Sequence, residues 1–262
     1  MFPTGFIGVE NQLWIWLVAM IRPGAAFLAA PIFGARSVPV QLRLILSLAI
    51  GMAAMNSVVF QMPPGGVASF AGVLLVMGEV LAGLAMGFAL QIGYASAFVA
   101  GETIGNAMGL GFASMMDPQS GQSTQVVGQF LSILATFILL GMDGHLLLAS
   151  YVVKSYQALP PGGPMLSNDA IYDLVMFGGS LLGAGVTIAL PVAFALVLIQ
   201  LIMGMLARTA PSLNLFAVGM PVAIIAGIIL LAVTAPIMGQ GIADSLQAGL
   251  DRAQTIAGGA LI

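Results

Sequence analysis

Ser120 and His145 are the residue types from which a nucleophilic hydrolase could be assembled, because a serine hydroxyl attacks only when a neighbouring base activates it. His145 is the chain's one histidine, in "MDGHLLLAS" (142–150), and Ser120 stands in "DPQSGQS" (117–123). The surroundings argue against that chemistry. An intramembrane serine nucleophile sits in a tight, glycine-flanked turn, and here Pro118 occupies the place of the leading glycine. A single histidine cannot hold a metal without carboxylate help, and cysteine is absent. No glycine loop ending in Lys-Ser or Lys-Thr is present to cradle phosphate. These residues predict a protein that is not an enzyme and uses neither metal nor cofactor.

A second group is Arg22, Glu79, Glu102 and Asp143, charges set within or beside apolar runs. Charge inside a membrane is costly, and it is paired or faces water. Arg22 with Glu79 is one possible pair. The alternatives are a structural role, a transport site, or interfacial positions that orient helices. No multi-carboxylate relay of the kind a proton pump uses is present.

The elements that must position these residues are membrane helices. Of 262 residues, 60% are hydrophobic and only 6% charged, against roughly a quarter charged in soluble domains. Mean hydropathy is +1.10. The six basic and nine acidic residues form no cationic run that would suggest nucleic acid. The N-terminal "MFPTGFIGVENQLWIW" lacks a basic leader, and the first apolar run contains Arg22, so that run reads as a retained span. A span needs about 20 apolar residues. Six candidates fit: 13–33, 42–60, 67–99, 126–150, 174–206 and 213–238. The third and fifth are too long for one upright crossing, so they tilt, kink or protrude. Helix is the default, since lipid offers backbone groups no partner.

The linkers are readable as well. "GARSVPVQLR" (34–43), "QMPPGG" (61–66), "SYQALPPGGPMLSNDAIYD" (155–173) and "ARTAPSLN" (207–214) separate the runs, with Ser167 or Asn168 placed to cap the next helix. Arg36, Arg43 and Arg208 put loops 34–43 and 207–214 inside and the N-terminus outside. Glycines recur at four-residue steps, Gly83 and Gly87, then Gly101, Gly105 and Gly109, each set a smooth helix stripe for close approach within the bundle or to another subunit. Pro23, Pro31, Pro191 and Pro221 interrupt apolar runs. The C-terminal tail, 240–262, reads as a short amphipathic helix at the periphery.

Between Gly109 and Phe130 the apolar pattern breaks into "GLGFASMMDPQSGQSTQVVGQF". Phe112, Met115 and Met116 lie directly against the polar break. They read either as a deformable hydrophobic seal or as part of a solvated connecting loop.

Five ordered blocks resemble the FliR family of flagellar export-gate proteins, whose virulence-secretion counterpart is the SctT (YscT) family. They are "RPGAAFLAAPIFGARSVPVQLRLILSLAI" (22–50), "GEVLAGLAMGF" (78–88), "GETIGNAMGLGFASMMDPQSGQSTQVVGQFL" (101–131), "DGHLLLASYVVKSYQALPPG" (143–162) and "GMLARTAPSLNLFAVGMP" (204–221). Gln200 departs from the pattern, where asparagine is expected. The resemblance implies an all-α membrane protein, a single domain over 1–262, of about six long, kinked helices in hairpins within a pseudo-helical assembly. It implies partners like FliP, FliQ and FlhB, contact with lipid, passage of unfolded flagellar polypeptides, and a place in the bacterial inner membrane at the flagellar basal body. It also implies that loop 109–125 plugs the pore. Phe112, Met115 and Met116 would then be the apolar seal, Asp117, Gln119, Ser120 and Gln122 would face water, and Pro118 would belong to the same plug. Gly109, Gly111 and Gly121 would supply freedom to move. A stand-alone six-span transporter or channel is the competing class.

Overall fold

The computed structural model describes residues 7–56, 58, 60, 62–63, 65–111, 126–163, 166–209 and 215–259. Among them lie seven helices: α1 (Ile7–Ala29), α2 (Val40–Met55), α3 (Phe70–Ala107), α4 (Val126–Gly141), α5 (Gly144–Ala158), α6 (Asn168–Thr209) and α7 (Leu215–Ala257). The protein is all-α over these residues.

Among the described residues, six spans become four, or five. Gln12–Ala29, α3, α6 and Val218–Ala257 are each long and apolar enough to cross a membrane, and α4 with α5 passes as one bent pair. The 42–60 run falls short because α2 is 16 residues long, about 24 Å against a hydrocarbon core of about 30 Å. The 126–150 run is broken at Asp143, whose φ of 55° is left-handed. By contrast α3, α6 and α7 have 38, 42 and 43 residues, roughly twice what a bilayer needs.

The chain forms two compact units. The first is Met1–Ile92, Leu139–Gly178 and Gln247–Ile262; the second is Gly93–Ile138 and Gly179–Leu246. In the first, α1 and α2 pack antiparallel through small residues. A Cβ on Gly24 would touch Ser47 Oγ at 3.5 Å, and one on Gly51 would sit 2.5 Å from the Ala19 carbonyl oxygen. Gly83 and Gly87 of α3 take the backbone of α1 in the same way: a Cβ there would collide with the carbonyl oxygens of Arg22 and Ala26. Val18, Ala19, Ala54, Phe60, Leu75 and Tyr156 form a buried cluster.

The end of α7 belongs to this first unit. Leu250, Ala253 and Ile256, at helical spacing, are 0–2% exposed, and Gly249 lies against Ala89 and Leu90 of α3. The 240–257 stretch is therefore the continuation of α7, held by its apolar stripe, not a separate short helix. The 155–173 stretch is also partly helical, because α5 runs to Ala158 and α6 begins at Asn168. Ser167 caps α6, its Oγ accepting from the Ala170 N–H at 3.1 Å.

In the second unit α3 meets α4 backbone to backbone: a Cβ on Gly101 would lie 2.5 Å from Gly128 Cα and 2.6 Å from the Val127 carbonyl oxygen. The Tyr94 hydroxyl donates to the Ser132 carbonyl at 3.0 Å and lies 2.9 Å from Thr136 Oγ1. Gly93 faces Ser245 of α7, and Gly185 of α6 faces Val99 of α3.

Candidate functional site

Pro23 sits inside α1. It has no N–H to give the carbonyl four residues back, and that carbonyl belongs to Ala19. The Tyr156 hydroxyl of α5 takes it, donating at 2.8 Å. Arg22, next to the proline, is 2% exposed. Its Nε donates to Glu79 Oε2 at 2.9 Å and its Nη2 to Glu79 Oε1 at 2.7 Å, a two-pronged pair with α3. Nη2 also donates to the Leu159 carbonyl at 2.8 Å, and Nη1 donates to Ser155 Oγ at 2.9 Å. The Ser155 hydroxyl in turn donates a hydrogen bond to the Val152 carbonyl at 2.7 Å. The guanidinium carbon lies 4.0 Å from the centre of the Tyr156 ring, a favourable cation–π placement.

Each group follows from backbone chemistry. Leu159 ends α5, where helix carbonyls lack intrahelical donors, and a cation is favoured at that negative end of the dipole. Glu79, also 2% exposed, neutralises the charge that would otherwise be prohibitive in an apolar bundle. The result locks α1, α3 and α5 at one point. A cavity of about 240 Å³ adjoins it, lined by Arg22, Glu79, Gly78, Leu159, Pro160 and Gly162 among others. The arrangement can brace helices: its arginine has four of five N–H groups engaged and stays protonated in proteins.

Residues 13–249 match the model of bacterial export proteins, family 1. The chain belongs to this export family. It is similar to flagellar biosynthetic protein FliR of Escherichia coli K12, 35% identical with 88% of this chain and 89% of the relative covered. FliR of Caulobacter vibrioides is 31% identical over 89% of this chain and 91% of that protein. FliR of Bacillus subtilis is 29% identical over 83% and 85%. Family and relatives together give this FliR-family chain a role in flagellar export and make it a membrane protein of the export apparatus.

The other residues singled out in this FliR-family sequence scatter. Glu102 is half-buried, near Gly128 of α4. Gly105 is less crowded than Gly101, with Val127 at 3.8 Å from where its Cβ would be. Gly109, with φ 82°, stands just past the end of α3. Gly83, Gly87 and Gly101 meet helices of their own chain. The Nδ1 of His145 is buried without a hydrogen-bond partner among the described residues. Phe112, Met115, Met116, Asp117, Pro118, Gln119, Ser120, Gly121 and Gln122 lie outside the described residues. Sequence reasoning passed over Tyr156 and Ser155. The signal for Tyr156 was Pro23 itself, which announces an unmet carbonyl at Ala19.

Proposed function

We propose that this chain is a non-enzymatic pore subunit of the flagellar protein export gate in the bacterial inner membrane. It assembles there with subunits like FliP and FliQ, with an FlhB-like chain nearby, and unfolded flagellar polypeptides pass through. The observation that carries the reading is membership of the bacterial export family over 13–249. The helix lengths support it. Helices twice the bilayer thickness need cover beyond lipid, and α6 exposes Leu182, Leu190, Phe194 and Leu201 at 52–64%. Unlike subunits would supply that cover. Segment 109–125 is the seal of this pore: Phe112, Met115 and Met116 give an apolar, adaptable surface, and the polar Asp117–Gln122 stretch tolerates water.

The first test is recovery of a tagged chain in mild detergent. A large complex holding FliP-like and FliQ-like chains is expected; a monomer or homodimer without them would replace this reading with a stand-alone transporter. The second is deletion of 113–121. The complex should still form and the membrane should leak ions. A complex that assembles and stays tight would remove the seal.

A further inference from the structure

Between Thr187 and Arg208, α6 carries one polar side chain, Gln200, in "IALPVAFALVLIQLIMGMLA". An amide in such a run is unfavourable unless it is hydrogen-bonded. Its Nε2 donates to the carbonyl oxygen of Ala107, at the end of α3, at 2.6 Å.

This bond ties α6 to the turn that ends α3. Gly109 closes α3 in the left-handed turn that glycine favours. The Met108 N–H bonds to the Ile104 carbonyl at 2.8 Å, the Gly109 N–H to Asn106 at 3.0 Å, and the Leu110 N–H to Gly105 at 3.0 Å. The closure thus serves 104, 105 and 106, and Gln200 brings a side-chain donor to 107. The same turn is held from a second side. Met108 is 3% exposed, and its side chain fills the space where a Cβ on Gly227 of α7 would stand, with Cγ, Cε and Sδ 2.6–2.8 Å from that point.

We infer that Gln200 is a positioning residue: its amide fixes the point and direction in which the chain leaves α3. Leucine removes this donor, and asparagine is one methylene shorter. The functional consequence rests on the reading of 109–125 as the seal, because that segment departs from this turn.

The test uses the assembled complex, with Gln200→Leu and Gln200→Asn beside the parent. Amide exchange over 108–111 and ion leak are both measured. Anchoring predicts that exchange over 108–111 accelerates at least tenfold in Gln200→Leu and less in Gln200→Asn, with 94–104 unchanged. Leak should rise in the same order. Unchanged exchange over 108–111 overturns the inference. Faster exchange without leak upholds the anchor and instead removes the seal reading. If Gln200→Leu does not assemble, Gln200→Asn is decided on the same two readouts.

Discussion

Both compact units join helices by close glycine approaches, and the first adds a buried charge pair. In the first, α1, α3 and α5 meet at a buried charge pair whose bonds are directional and reach across 57 to 137 positions of sequence. In the second, the contacts of α3 with α4, α6 and α7 include close glycine approaches and uncharged hydrogen bonds, such as Gly101 on Gly128 and Tyr94 on Ser132. A forked charge pair tolerates one geometry. Glycine contacts let two helix backbones approach closely but add no directional bond of that kind. What sets the first unit apart is the directional charge pair laid over the same kind of glycine packing.

The sharpest way to break the comparison is Glu79→Ala. It strands the Arg22 cation in an apolar interior, and we expect a loss of about 3–5 kcal/mol. In detergent this reads as a large fall in folded yield and melting temperature. The double variant Arg22→Met with Glu79→Met should lose less than Glu79→Ala alone; an equal or larger loss would mean that the pair is not an isolated charge problem. Next is Gly101→Ala, whose new methyl meets Gly128 and the Val127 carbonyl, for a loss of about 1–3 kcal/mol. Gly105→Ala has room, and a helical alanine there should be neutral or gain about 0.5 kcal/mol. Equal melting shifts for the two would refute the packing difference. The finest contrast sets Tyr156→Phe against Tyr94→Phe. The first leaves the Ala19 carbonyl bare, at about 1 kcal/mol or more. The second removes a hydrogen bond from a carbonyl that the Thr136 hydroxyl also serves at 3.0 Å, at about 0.6 kcal/mol. Indistinguishable unfolding midpoints would erase the distinction between the units at this site.

Much of this was legible in advance where chemistry forces a choice. Arg22 and Glu79 stand out because an apolar run cannot leave a charge alone. The glycine spacing at 83 and 87 shows a smooth face, but not which helix fills it, since several helices have backbones that fit. Span number was misread at α2, because hydropathy cannot see where the helix stops, at Met55 with Asn56 beyond it. At 126–150 the span stands as a bent pair, and nothing in an apolar average marks the bend at the left-handed Asp143. The extent of α7 was hidden by its alanines and glycines, which bury little area and score as weakly apolar, yet Ala253 is fully buried. Gln200 was visible as an oddity only, because its partner is a backbone carbonyl and backbone partners leave no trace in side-chain identity.

Pro23 has a consequence for how the protein is made. The donor that completes α1 is Tyr156, 137 positions further along the chain. At roughly 5–20 residues per second of synthesis, the first helix waits on the order of ten seconds before its missing partner exists. Throughout that interval the Arg22 guanidinium also lacks Ser155 and Leu159. A nascent chain halted before α5 would hold α1 with a bare carbonyl and an incompletely satisfied cation. Maturation of the first helix is thus deferred until more than half of the polypeptide has left the ribosome.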